Sequence, residues 1–282
     1  MLPEQTIPSS IAPPFILLAD KNVFALRANR FRELAVDHSF SAWLLWLGAL
    51  TEGQQKAIHA TCANKNSSST AEVQLPHVLN LVLDHLPPDH LNSDQKTTLR
   101  QLSGEALDNI VEHNLQLARG ESVVAERDIS ELIVAATLQV IWTLKSQLLN
   151  TQALVPNHTE NCPCCGSLAH GSVLLAGDGK AGLRYQECCL CATRWNSVRA
   201  RCTLCEQGEV VQYLSLEGHH KAVAAEVCDQ CHGYAKIFFQ AKAPRAQAMA
   251  DDLATLALDA LVGEQGYARG TPNLFLSNGS PV

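Results

Sequence analysis

The spacing of apolar residues in the first half of the chain predicts helices. Residues 21–35 place apolar side chains near the helical period, and 39–50 do so again after serines that can cap a helix. Residues 75–86 form a short apolar segment that two prolines end. A longer stretch, 93–117, predicts one helix that a glycine ends. We expect these segments to pack together as a bundle.

One further segment of this half predicts the centre of the bundle. Residues 132–149 are apolar on most sides, so a helix formed by them must be surrounded by others. Asp128 and Glu131 precede it with the spacing of a capping box. Residues 151–161 break the pattern and predict a linker.

After the linker the period changes to that of strands. Two hairpins, each followed by a third strand, are predicted at 172–176, 183–186 and 193–198, and at 209–216, 222–227 and 235–240. Beyond Pro244, residues 245–264 predict one helix with a single apolar face.

Cysteines fall in pairs at the ends of the predicted hairpins. The four Cys-x-x-Cys pairs are Cys162/Cys165, Cys188/Cys191, Cys202/Cys205 and Cys228/Cys231. A gap of 22 residues separates the two pairs in each half, and 10 residues separate the halves. The chain therefore contains two tandem units of 30 residues, 162–191 and 202–231, each with four thiols. Four thiols suffice for one tetrahedral site that binds zinc or iron.

Metal ligation explains these thiols better than disulfides do. The first residues lack the basic residues and the long apolar run of a secretory signal. No apolar run reaches the ~20 residues that span a bilayer. We therefore expect a cytoplasmic protein without membrane insertion, whose thiols stay reduced. A unit of 30 residues buries too little apolar surface to fold without an added cross-link, which a bound metal ion supplies.

We expect each unit to bind its own metal ion. Sequential pairing closes the shorter loops, whereas an interleaved arrangement would cost more entropy and would leave the repeat unexplained. The first metal would be bound by Cys162, Cys165, Cys188 and Cys191. The second would be bound by Cys202, Cys205, Cys228 and Cys231.

Charge and motifs narrow the range of functions. The net charge of −7 divides into −6 over 1–161, zero over 162–240 and −1 over 241–282. A neutral cysteine module argues against a nucleic-acid-binding protein, which needs basic faces. Arg194, Arg199 and Arg201 are interpreted as a solvated strand face, with a local basic patch for nucleic acid as the alternative. The chain has no phosphate loop, nucleophile elbow or zinc-protease motif, and four-thiolate sites leave no open ligand position, so we expect no enzyme activity.

The other candidate residues have plain structural interpretations. Cys164 and Cys189 lie inside knuckles and are interpreted as spectators, with a redox thiol as the alternative. Cys62 is predicted to be a small core residue. His219 and His220 lie at a hairpin tip, where solvated loop residues are expected and metal or partner binding is the alternative.

Several runs of sequence carry a family resemblance. CPCCGS, RYQECCLC, TRWNSVRARCTLCE and EVCDQCHGYAKIFFQ resemble the formate dehydrogenase accessory protein family of the FdhE type. FALRANRFRELAVDH and the tail ADDLATLALDALVGEQGYARGTPNLF are also similar to that family. The resemblance implies two rubredoxin-like units and favours iron over zinc. It also implies a non-catalytic cytoplasmic assembly or proofreading factor that binds the catalytic subunit of a respiratory formate dehydrogenase and is needed for its maturation.

The sequence thus predicts an α+β protein in four parts. They are a helical domain (1–155), two rubredoxin-like or zinc-ribbon-like units (160–200 and 201–242), and a C-terminal helix with its tail (243–282). An electron-transfer or thiol-redox protein is the main alternative to an assembly factor.

Overall fold

The predicted α+β class is confirmed by the computed structural model, which describes residues 13–63, 74–87, 89–121, 127–151, 154, 161–177, 181–199, 201–207, 211–216 and 222–276. The helices are α1 (Val23–Leu34), α2 (Ser41–Ala63), α3 (Leu75–His85), α4 (Ser93–Arg100), α5 (Gly104–Arg119), α6 (Ile129–Ser146), α7 (Ala248–Leu253) and α8 (Leu256–Glu264). The strands are β1 (Ile16–Leu17), β2 (Ala169–Leu174), β3 (Arg184–Cys188), β4 (Arg194–Asn196), β5 (Val211–Leu214), β6 (Val223–Cys228), β7 (Gly233–Phe239) and β8 (Ala268–Arg269).

Helix α6 is the central helix of the bundle, as predicted, and packs against α2, α3 and α5. Asp128 caps it by accepting hydrogen bonds from the backbone N–H groups of Ser130 and Glu131, at 2.8 and 3.0 Å. The Glu131 carboxylate contacts His113 at 2.8 Å, an interaction outside the cap. Of the helices described, α6 is the one long and apolar enough to cross a membrane, and 72% of it is buried inside the protein, as in the core helix of a bundle.

Two predicted helices are each broken in the structure. The single helix expected over 93–117 is wrong, because α4 ends at Arg100 and Gly104 begins α5 with a left-handed φ of 56°. The single helix expected over 245–264 is also wrong, because α7 ends at Leu253. There the Nζ group of Lys236 donates hydrogen bonds to the backbone carbonyls of Asp252 and Thr255, at 2.9 and 3.1 Å.

Both cysteine units contribute to one continuous sheet of eight strands over the described residues, in the order β1-β4-β3-β2-β7-β6-β5, with β8 beside β7. Each unit forms an antiparallel meander, β2-β3-β4 or β5-β6-β7. The meanders join where β2 and β7 pair in parallel. At this joint a Cβ added to Gly171 would lie 2.7 Å from the backbone oxygen of Lys236, so the close approach requires glycine.

The C-terminal helices attach the sheet to the bundle. Helix α7 packs between α1 and the strands β2 and β7, while α8 packs on β6. The guanidinium of Arg30 in α1 forms a bidentate pair with Asp251 in α7, with the shortest N···O distance at 2.6 Å. The C-terminal helices thus dock on both the bundle and the sheet, whereas the bounds of the four predicted parts stay a prediction.

Candidate metal centres

The same turn geometry recurs at all four cysteine pairs. In each, the residue after the second cysteine has a left-handed φ: 77° at Gly166, 56° at Ala192, 57° at Glu206 and 52° at His232. Three of these residues donate their backbone N–H to the carbonyl of the first cysteine of the pair, at 2.8 to 3.1 Å. This turn folds each pair into a knuckle that directs both thiols to the same side.

The knuckles bring the thiols together in the predicted groups. Cys162, Cys165, Cys188 and Cys191 form the first cluster, and Cys202, Cys205, Cys228 and Cys231 form the second. Within each cluster all Sγ atoms lie within 4.8 Å of one another. Sequential assembly of the two units is therefore confirmed, while the binding of metal by these residues stays a prediction.

The spacing of the thiols fits a tetrahedral metal ion. Metal–sulfur bonds of about 2.3 Å place tetrahedral sulfurs about 3.8 Å apart. Across the knuckles, the Sγ atoms lie 3.6 and 3.3 Å apart in the first cluster and 3.9 and 3.8 Å in the second. Backbone N–H groups also point at sulfur: those of Leu190 and Cys191 each approach the Cys188 Sγ atom at 3.4 Å. Such donors stabilise thiolates, the form that binds metal.

The first cluster belongs to the core of the helical bundle. Cys189, Leu190, Ala192 and Trp195 in and beside its knuckle are buried among bundle residues. From α6, the side-chain amide of Gln139 donates a hydrogen bond to the carbonyl of Cys189 at 2.9 Å. On the other side, the N–H of Leu168 donates to the carbonyl of Ala118 in α5 at 2.8 Å.

The second cluster lies nearer the surface. Its Cys231 is exposed and its Cys205 is half-buried. The C-terminal tail, and not the helical bundle, contacts this cluster. The N–H of Ala268 donates a hydrogen bond to the carbonyl of His232 at 2.8 Å. A Cβ on Gly270 would clash with the side chain of Leu204 in the knuckle, so the tail passes closely over it.

Of the thiols outside the clusters, two lie beside the first centre. Cys189 is fully buried and its thiol contacts the carbonyl of Ala118 at 3.6 Å, which supports its interpretation as a packing residue. Cys164 is half-buried, and its backbone N–H points to the Cys162 Sγ atom at 3.4 Å. Cys62 is exposed, so its predicted place in the core is wrong: it lies on the solvent side of α2, near that helix's C-terminal end.

Sequence reasoning missed a buried charge cluster behind the first centre. The Glu187 carboxylate pairs with Arg194 at 2.6 Å and with Arg27 of α1 at 3.3 Å, and its Oε1 atom lies 3.5 Å from the Nε2 atom of His170. The interpretation of Arg194 as a solvated residue is therefore wrong, whereas Arg199 and Arg201 are exposed.

The pKa values of this cluster follow from its burial and its cations. Burial raises the pKa of Glu187, but Arg194, His170 and Arg27 together lower it to about 2. Burial lowers the pKa of His170 to about 4. The available signal was the position of Arg27, which shares a helical face with Phe24 and Phe31.

A second buried cluster joins the sheet to the C-terminal helices. The Lys236 ammonium pairs with Asp252 and Asp259 at 2.9 and 2.5 Å, and Arg269 pairs with the same two carboxylates at 2.5 and 2.9 Å.

His219 and His220, which were predicted to be solvated residues at a hairpin tip, lie outside the described residues.

Comparisons with known proteins find one family along nearly the whole chain. Family models described as FdhE N-terminal, FdhE central domain and FdhE C-terminal domain match residues 12–159, 161–199 and 200–276. A "Protein FdhE homolog" of Pectobacterium carotovorum is 31% identical over 290 residues, covering 96% of this chain and 93% of the relative. One of Serratia proteamaculans is 32% identical, covering 98% and 95%.

A solved structure is similar as well. The crystal structure of the FdhE protein from Pseudomonas aeruginosa matches with a TM-score of 0.69 and 28% sequence identity. The match covers 95% of this chain and 100% of the other.

Proposed function

This chain belongs to the FdhE family of formate dehydrogenase accessory proteins, and on that premise we propose that it binds the catalytic subunit of a respiratory formate dehydrogenase in the cytoplasm and is needed for its maturation. The observation that carries the proposal is the match to all three FdhE models, which spans the bundle and both cysteine units. Two clusters closed by four thiols each support a non-catalytic role, because closed metal sites are structural.

The same proposal includes two metal ions per chain. Cys162, Cys165, Cys188 and Cys191 would bind one ion, and Cys202, Cys205, Cys228 and Cys231 would bind the other. The Sγ spacing suits iron and zinc equally, so the family resemblance alone favours iron. When bound, the ion supplies the cross-link that holds each pair of knuckles together. Elemental analysis of anaerobically purified protein tests both the metal and its stoichiometry.

We also propose the division of the chain into 1–155, 160–200, 201–242 and 243–282. The change from helices to strands between Ser146 and Ala169 supports the first boundary. The recurrence of the meander supports the second.

A pull-down tests the central claim. Tagged full-length protein should retain the formate dehydrogenase catalytic subunit, and a deletion strain should lack mature enzyme. The Cys62→Ser variant should retain the subunit as the wild type does, because this thiol is exposed and lies outside both clusters. Absence of a specific complex, together with normal maturation in the deletion strain, would refute the proposal.

Electron transfer is the second candidate function, and the exposure of Cys231 favours it. An iron ion bound at the second cluster would lie near the surface, where a redox partner can approach. Zinc has no redox chemistry. A zinc-only protein that restored maturation in the deletion strain would therefore eliminate redox as the essential activity.

A further inference from the structure

A shallow pocket of about 290 Å³ lies at the β5 end of the sheet. It is lined by Arg199, Tyr213, Ser215, Ala224, Phe239 and Lys242. No cluster cysteine lines the pocket, so neither metal centre accounts for it.

Two aromatic rings form the apolar part of this pocket. The ring of Tyr213 meets that of Phe239 edge to face, with centroids 6.1 Å apart and an angle of 69°. Tyr213 is 48% exposed, so part of its ring is open to a ligand. The ammonium of Lys242 lies 4.5 Å from the centroid of the Phe239 ring.

The pocket is positively charged. Arg199 and Lys242 are both exposed, and neither forms an ion pair with any residue that the structure describes. The carboxylate beside Tyr213 is that of Glu226, which is buried and already pairs with Arg184 at 2.8 Å. Among the described residues no carboxylate pairs with either cation, whereas Arg30 and Arg194 elsewhere in the protein each pair with one. In a chain with a net charge of −7, this is a local site for an anionic group.

An open strand edge borders the pocket. Strand β5 is the last strand of the sheet, with β6 on one side and no described strand on the other. Such an edge presents backbone N–H and C=O groups to an incoming chain. Tyr213 of β5 and Ser215 just beyond it are two residues apart, so they lie on one face of the sheet and line the pocket on the side nearest that edge, while Ala224 of β6 and Phe239 of β7 line the side away from it.

We propose that an extended, acidic segment of the partner protein adds to β5 as a further strand and places a carboxylate between Arg199 and Lys242. In such complexes main-chain hydrogen bonds supply affinity, and a side-chain pocket supplies specificity. The inference rests on the proposed function, since it identifies the surface on which the formate dehydrogenase subunit docks.

Charge reversal tests the pocket. The full-length double variant Arg199→Glu, Lys242→Glu should bind the catalytic subunit at least about tenfold more weakly than the wild type, and wild-type binding should weaken with salt. The control is the double variant Arg100→Glu, Lys145→Glu. Lys145 resembles Lys242 in lying over an aromatic ring, 5.0 Å from the centroid of Trp142. This control should bind like the wild type.

The outcomes separate the inference from the proposed function. A wild type that does not bind the subunit contradicts the function itself. Wild-type affinity in the pocket variant, or an equal loss in the control, overturns the inference alone. Salt-sensitive binding of a thymidine oligonucleotide, lost in the pocket variant, would assign the surface to nucleic acid and also overturn it.

Hydrogen exchange tests the added strand. In the complex, backbone amides of Val211–Leu214 should gain protection, while those of Leu75–His85 in α3 should not change. Unchanged exchange at β5 in a complex that does form would refute strand addition.

Discussion

Loss of the first metal centre should unfold the bundle, and loss of the second should not. The comparison uses Cys162→Ala and Cys202→Ala, which remove equivalent ligands of the two repeats. A site left with three thiolates holds metal more weakly, so each variant releases its own pair of knuckles. The two differ in what those knuckles contact.

The size of the stability loss follows from the packing of the Cys188/Cys191 knuckle of the first centre. Leu190 and Trp195 are 2% and 1% exposed within the bundle core, and burial contributes roughly 2–3 kcal/mol for each. Hydrogen bonds from Gln139 and Thr143 to the knuckle carbonyls add about 1 kcal/mol each. The resulting loss of roughly 6–8 kcal/mol is a large part of the ~5–15 kcal/mol that stabilises a domain. The knuckles of the second centre contribute no residue to that core among those described.

Thermal unfolding followed by circular dichroism at 222 nm measures the difference. Cys162→Ala should lower the midpoint by more than about 10 °C or abolish the transition, because 1 kcal/mol corresponds to roughly 2–4 °C in a chain of this size. Cys202→Ala should leave the helical transition within about 4 °C of the wild type. It should, however, loosen the C-terminal helices and abolish binding of the catalytic subunit. Equal shifts in the two variants, or a larger shift for Cys202→Ala, would refute the reasoning.

Three further perturbations have defined outcomes. His170 has a folded pKa of about 4, below its unfolded value of 6.5. The contribution of the neutral imidazole to the free energy of unfolding is therefore fully present above pH 6.5 and is lost as the pH falls towards 4. Urea unfolding should show His170→Gln losing about 2 kcal/mol less than the wild type between pH 7.5 and 5.0, and equal losses would contradict this. Gly171→Ala should cost about 1–3 kcal/mol in the same assay, because its Cβ would lie 2.7 Å from the Lys236 backbone oxygen; a neutral effect would mean that the β2–β7 joint adjusts freely. A chelator should remove one metal ion per chain faster than the other, because Cys231 is exposed and the first cluster is largely buried; simultaneous release would argue against this.

Local patterns predicted the site better than they predicted the helix ends. The equal gaps between cysteine pairs were sufficient to group the thiols, because each knuckle is a turn within a few residues. The break between α4 and α5 depends on the left-handed conformation of Gly104, which glycine permits but does not require. The break after α7 depends on Lys236, which is distant in sequence and takes the carbonyls that would otherwise continue the helix.

Partners distant in sequence also account for what was missed at the site. Arg194 is polar and near a strand end, so exposure was the reasonable expectation. It is instead 22% exposed and pairs with the buried Glu187, to which α1 also brings Arg27 from 160 residues away. Periodicity within one segment contains no information about such a partner.

The pairing of β1 with β4 has a consequence for how the chain is made. Ile16 pairs with Trp195, so the first strand is synthesised long before its neighbour. At about 5–20 residues per second, a ribosome needs roughly 10–40 s to get from one to the other. At the end of that interval the helical core gains the buried residues of the Cys188/Cys191 knuckle, and it still awaits Met249, Leu253 and Phe275 from the C-terminal segment. Completion of the helical half is therefore a late event of translation.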